Sequence, residues 1–303
     1  MEKTKDRRLI KFIFFGNYFY GLCAIALSIE ASLQQGFPLN TIPYYLLVTA
    51  LTILYYTKAY ITDNAHNSTN PRSIWYAANA KLVFYCQLAL YAICIVCGLI
   101  VFPLKELSDI TVAEWLVIAL VPVAGLMYYG VNLRTTKAYN LRSVGWLKPF
   151  MIGFVWAGLV TIYPVLYYCI THNIRYDVSW IKFFLFVKNF MFITVLCILF
   201  DIKDYATDHN LQLKTFVVKA GLRKTIFYIV IPLSIVGLGS FLIYALSRHF
   251  GAMKILMNVI PFILLIMVSY GLHNRRSIFY YLVVIDGLML AKALCGIVAM
   301  QFF

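Results

Sequence analysis

Three aspartates, Asp201, Asp204 and Asp208, fall within eight consecutive positions of the segment FDIKDYATDHNLQLKT, where an apolar run gives way to polar residues. They are a quarter of the twelve acidic residues in the whole chain. At 3.6 residues per turn, their i, i+3, i+7 spacing puts them on one stripe of a continued helix. Carboxylates gathered this closely repel one another unless a positive charge neutralises them. A hard divalent cation does so, and Mg²⁺ takes a few carboxylates together with phosphate oxygens and water. Lys214, Lys219, Arg223 and Lys224 follow at once, and such bases contact phosphate directly. The combination reads as a metal-bridged diphosphate whose apolar tail lies among helices. A solvated acidic helix end is the plainer alternative.

The elements that must position these groups are membrane helices. Of 303 residues, 62% are hydrophobic and only 13% charged, with a mean hydropathy of +0.81. A soluble domain needs more polar surface than this. The apolar residues also come in runs of about 20, the length that crosses a hydrocarbon core. Spans are expected at about 9–31, 41–62, 77–102, 112–131, 149–170, 180–200, 224–247, 254–272 and 278–302, with boundaries uncertain by a few residues. The expected fold is an all-α integral membrane bundle of about nine helices. It forms a single domain over 1–303, with cytoplasmic loops 63–80, 132–148 and 201–223 capping a central cavity. The start, MEKTKDRR, leads into a full-length span, so no cleaved secretory signal is expected.

Charge sets the orientation. The net charge of +14 could suggest nucleic acid, but the bases gather in alternate loops. The N-terminal tail and the loops near 63–80, 132–148, 201–223 and 273–277, with their flanks, hold 18 of the 26 Lys and Arg residues. The positive-inside bias then places the N-terminus in the cytoplasm and the C-terminus outside, with lipid rather than nucleic acid as the partner. Five charges fall within spans or at their edges: Glu30, Lys58, Lys188, Asp286 and Lys292. Each is expected to face the bundle interior, find a partner or snorkel, with no catalytic role. All seven cysteines lie in spans, and Cys94 and Cys97 read as small core- or lipid-facing residues. The five histidines show no metal-ligand spacing, and no P-loop, dinucleotide fingerprint or nucleophile elbow is present.

The segment around Asp201, Asp204 and Asp208 resembles the second aspartate-rich motif of the UbiA superfamily of intramembrane prenyltransferases. That motif runs D-x-x-D-x-x-x-D with a threonine beyond, matched here by Thr215. Gly221, in VVKAGLRKT, resembles the glycine before the family's next helix. The resemblance covers the chain in outline and is specific in this one motif. It implies Mg²⁺ held by two aspartate-rich motifs, a polyprenyl diphosphate as donor and a lipophilic acceptor. The first motif is degenerate. Its region reads KAYITDNAHNSTNPRSIWY, with Asp63 as the only acid, and Asn or His replaces a carboxylate poorly toward Mg²⁺. The implied ligands are Asp201, Asp204 and Asp208 with help from Asp63. Arg72, Lys148 and Lys214 are the implied diphosphate contacts. As alternatives, Arg72 is an ordinary inner-loop base and Lys148 part of a headgroup collar.

Three functions remain open at this point. The first is Mg²⁺-dependent prenyl transfer to a lipophilic acceptor, and the second a cyclase on the same scaffold that needs no acceptor. The third is a non-catalytic isoprenoid-binding protein or a transporter, although no inverted repeat is evident.

Overall fold

In hydrocarbon a backbone must satisfy its own hydrogen bonds within each segment, and all regular structure among the described residues is helical. A computed structural model describes residues 2–61, 70–102, 110–129, 145–177, 179–210, 214–273 and 276–303. The helices are α1 (Glu2–Phe15), α2 (Tyr18–Gln35), α3 (Ile42–Ile61), α4 (Pro71–Ala78), α5 (Ala80–Val101) and α6 (Val112–Tyr129). They continue as α7 (Lys148–Thr171), α8 (Trp180–Lys203), α9 (Tyr205–Asn210), α10 (Phe216–Ala220), α11 (Leu222–Ser247), α12 (Ala252–Tyr270) and α13 (Ile278–Phe302). Six of them, α5, α7, α8, α11, α12 and α13, are long and apolar enough to cross a membrane. The bent pair α1–α2 makes a seventh if it is one broken span, whereas α6 is apolar but shorter. The chain is therefore an all-α, multi-pass membrane protein. Every expected span coincides with a helical region, and among the described residues six or seven are long and apolar enough to cross a membrane.

Two long helices carry a wide π-type turn just ahead of a proline. The turn Gly158–Ile162 precedes Pro164 in α7, and Ile226–Val230 precedes Pro232 in α11. Proline lacks an N–H and its ring crowds the carbonyl four residues back, so widening the turn keeps the helix continuous.

The chain divides into two compact units, residues 1–26 with 39–109, and residues 27–38 with 110–303. In the first unit the chain bends by 58° between α1 and α2. Asn17 adopts a left-handed conformation there, with φ of 67°, which Asn tolerates better than most residues. Ending α1 strands its last carbonyls. Arg72, only 4% exposed, donates from Nη2 to Phe15 O at 3.2 Å, to Phe14 O at 3.4 Å and to Asn17 Oδ1. Its guanidinium also lies 4.3 Å from the centre of the Tyr60 ring. Asn17 Nδ2 donates to Thr57 Oγ1 at 3.1 Å and to Tyr76 OH at 2.9 Å. Burial pushes the Tyr76 hydroxyl above its ordinary pKa, so it stays protonated.

In the second unit α7 and α8 run antiparallel in close contact. A side chain at Gly153 would come within 3.0 Å of Phe190 O, and Asn189 Nδ2 donates to Thr161 Oγ1 at 2.7 Å. On another side of α8, a Cβ at Gly237 of α11 would lie 3.0 Å from Met191 Cβ.

At the centre of this unit sits a charge cluster drawn from five helices. Glu30 of α2 and Lys188 of α8 are fully buried, and Lys292 of α13 is 2% exposed. Lys188 Nζ donates to Glu30 Oε1 at 2.8 Å, to Gln34 Oε1 at 3.1 Å and to Asn258 Oδ1 of α12 at 3.2 Å. Lys292 Nζ donates to Glu30 Oε2 at 2.5 Å. Gln34 Nε2 donates to Asn258 Oδ1 at 2.7 Å, and Tyr244 OH of α11 donates to Gln34 O at 2.6 Å. The ring of Phe241 lies 4.8 Å from the Lys188 ammonium and that of Phe192 5.8 Å from Lys292, so aromatic faces add negative potential. Gly296 makes room for the carboxylate, because a Cβ there would stand 2.7 Å from Glu30 Oε1.

Two stability predictions follow from this geometry. Glu30→Gln leaves two buried lysines without a counter-charge and should cost about 3–5 kcal/mol, read as a lowered melting temperature in detergent. Gly296→Ala should also lower the melting temperature, whereas Gly239→Ala should not, since nothing lies within 4 Å of a Cβ there. Equal stability of Gly296→Ala and Gly239→Ala would refute the proposed seating of Glu30.

Candidate functional site at the α7–α8 end

The antiparallel register of α7 and α8 brings the first residue of one beside the last turn of the other. Lys148 opens α7 ahead of Pro149, which is tolerated in a first turn because the missing N–H has no helical partner there. Its Nζ lies 3.0 Å from Asp201 Oδ1. Asp201 is 1% exposed, the Lys148 side chain 27%. The second carboxylate oxygen, Asp201 Oδ2, has no hydrogen-bond partner among the described residues. A buried carboxylate oxygen in that state carries a desolvation cost.

The stretch ahead of Lys148 is held by backbone packing. A Cβ at Gly145 would stand 2.7 Å from Thr215 N and 2.8 Å from Lys214 C, so only glycine fits. Thr215, 1% exposed, caps α10 by accepting from Val218 N at 3.4 Å. Lys214, exposed, thus reaches the same end of the bundle as Lys148 and Asp201.

The aspartate stripe departs from the expectation of one continued helix. α8 stops at Lys203, Asp204 is its C-cap with φ −90° and ψ 5°, and α9 starts afresh at Tyr205. Carrying on would have stacked further carboxylates on the negative end of the α8 dipole. Asp201 and Asp204 therefore belong to α8 and its cap, and Asp208 to α9. Asp204 Oδ1 pairs with Lys203 Nζ at 2.9 Å and its side chain is 41% exposed. Tyr281 of α13, 3% exposed, packs beside this end with its ring 5.8 Å from Phe200.

A run of rings leads away from Lys148. Phe150 lies 6.2 Å from Phe216 and 6.2 Å from Phe190, and Phe154 lies 6.5 Å from Phe190 and 5.7 Å from Phe186. These rings are half-buried, and the α7–α8 surface they form is apolar.

The expected site residues fall in both units. Asp201, Asp204, Lys148 and Lys214 come together at one end of the second unit. Arg72 belongs to the first unit, where backbone carbonyls, Asn17 and Tyr60 hold it. Asp63 and the side chain of Asp208 lie outside the described residues. Among the described residues no group of three or more His, Cys, Asp or Glu side chains stands ready to hold a metal ion. Sequence reasoning chose Lys148 and Asp201 separately and missed their pairing. It also missed Gly145, whose only signal was a glycine three residues before the helix start. Comparison with protein-family models, with characterised proteins and with solved structures finds no match.

Asp201→Asn keeps the shape of the side chain and removes the ionic part of its contact with Lys148. Because Lys148 is partly solvated, the loss should be about 1–2 kcal/mol, smaller than for Glu30→Gln. Thermal unfolding of both variants in the same detergent checks this ranking, and the reverse order would contradict it.

Proposed function

We propose that the protein is a Mg²⁺-dependent intramembrane prenyltransferase, similar to the UbiA superfamily, that moves a prenyl group from a polyprenyl diphosphate to a lipophilic acceptor. The observation that carries this reading is the buried Asp201 carboxylate, with one oxygen on Lys148 and the other without a partner among the described residues. Asp204 adds a second carboxylate one turn on. Mg²⁺ uses one or two carboxylates and completes its shell with water and substrate phosphate, so this donor set fits one ion. When bound, the ion would supply positive charge that stabilises a departing diphosphate.

The chain's own residues account for the rest. Lys148 and Lys214 offer ammonium groups to phosphate oxygens at the polar end. The rings of Phe150, Phe154, Phe186 and Phe190 start two residues beyond Lys148 and offer an apolar track for a prenyl tail. Their faces favour positive charge near the reacting end of that tail. The bulk of α7 and α8 keeps water from the apolar side, which limits capture of an allylic cation by water. The same reading keeps nine spans, the N-terminus in the cytoplasm and the C-terminus outside, on the strength of the alternating basic loops.

A second reading has its own support. Lys148 and Lys203 already neutralise the two aspartates, as suits a protein that binds an isoprenoid without cleaving it. Purified protein incubated with Mg²⁺ and radiolabelled prenyl diphosphates of several lengths, with and without membrane lipid extract, separates the two. Transfer predicts labelled lipid product and diphosphate release, and Asp204→Ala should abolish both without unfolding the protein. Binding with no release at any Mg²⁺ concentration selects the second reading. Product formed from diphosphate donor alone would instead identify a cyclase.

A further inference from the structure

Two ammonium groups share one carboxylate at the centre of the second unit. Glu30 takes Lys188 on Oε1 at 2.8 Å and Lys292 on Oε2 at 2.5 Å. Among the described residues, the charged groups that act on Lys292 are these two. Around them α12 supplies the amide of Asn258 and α11 the hydroxyl of Tyr244, which bonds to Gln34 O. On α13 itself the thiol of Cys295 lies within electrostatic reach of Glu30. With both lysines charged, the cluster holds one positive charge too many, and excess charge inside hydrocarbon is costly.

The two lysines are not equivalent. An ammonium has three N–H donors. Lys188 uses all three, on Glu30, Gln34 and Asn258. Lys292 donates to Glu30 Oε2 and to no other acceptor among the described residues. The site is also closed. Glu30 and Lys188 are fully buried, Lys292 is 2% exposed, and even a Cβ on Gly296 would press on the carboxylate. Such packing disfavours a counter-anion, and a proton is the ligand that needs no space. We propose that this cluster is a proton-binding site inside the bundle, with Lys188 as its permanent ammonium and Lys292 as the amine that takes up and releases the proton. Uptake from water gives the Lys292 ammonium. Release to water leaves an amine that still donates one N–H to Glu30, and the cluster is then neutral. Buried oxygens without a partner among the described residues flank these charges in the chain, Ser28 and Ser32 Oγ about Glu30 and Asn189 Oδ1 beside Lys188. Polar atoms of this kind hold the water through which a proton travels. Asp201 lies thirteen residues further along α8, about 20 Å away, so the site stands apart from the diphosphate reading.

Substitution and pH together test the proposal on the full chain in detergent. In a structural ion pair, arginine substitutes for lysine and methionine removes a needed charge. Here the order inverts. Lys292→Met leaves Glu30 and Lys188 as a matched pair and should melt at or above the wild-type temperature. Lys292→Arg cannot lose its proton and should melt lower. Between about pH 7 and pH 9 an unfolded chain keeps its lysines protonated. The unfolded state then binds one proton more than the folded state, so stability rises with pH, and the wild-type melting temperature should climb by roughly 3 °C per pH unit. Lys292→Met, or Lys292→Gln if the former does not purify, should lack that part of the slope. Equal slopes in the wild type and the charge-removing variant overturn the inference. Carbon-13 resonances of lysine Cε give a direct reading, with Lys292 assigned by the signal that its substitution removes. That signal should move between amine and ammonium positions as pH is stepped, while Lys188 stays at the ammonium position. A Lys292 signal fixed at the ammonium position throughout overturns the proposal.

Discussion

Hydrocarbon does not solvate charge, so a lysine or glutamate inside a membrane bundle must find its compensation within the protein. The second unit meets this requirement at Glu30, where Lys188 and Lys292 both close on the carboxylate. Two amide side chains, Gln34 and Asn258, fill the remaining hydrogen-bonding directions around Lys188. The arrangement fixes α2, α8, α12 and α13 against each other. A rotation of any one would strand a charge at a cost of several kcal/mol. Gly296 is part of the same constraint, since a larger residue there would push the carboxylate off its partners.

That fixed core has a consequence between three and four turns away. Lys188 and Asp201 lie on the same helix, so anchoring α8 at its centre also sets the height and rotation of its end. The contacts of Gly153 with Phe190 and of Asn189 with Thr161 then pass the register on to α7. Lys148 reaches Asp201 because two long helices are held in register over their length. Sites on rigid elements keep their geometry better than sites on loops, and this pair of charges is held in that way.

The first unit solves a related problem by different means. Breaking the helix at Gly16–Asn17 leaves carbonyls without a helical partner, and Arg72 covers them with one guanidinium while stacking on Tyr60. Arginine suits this task because its planar fork serves several acceptors at once and its face packs on a ring.

The sequence by itself determined that this chain is helical and belongs in a membrane. Composition and the length of apolar runs follow directly from the solvent, and each expected span met helical structure, the first of them as two helices bent by 58°. It also marked Asp201, Asp204, Lys148 and Lys214 as residues of interest, because acids are scarce and bases sit where the spans end. What it did not determine was pairing. Glu30, Lys188 and Lys292 stand 158 and 262 positions apart from acid to base, and no local period links them. The end of α8 at Asp204 was likewise hidden, since i, i+3, i+7 spacing is compatible with a helix that continues or one that stops. Periodicity reports which face of one helix a residue occupies. Only the packing of several helices decides which faces meet, and that packing set the partners of Glu30, Lys188 and Lys292.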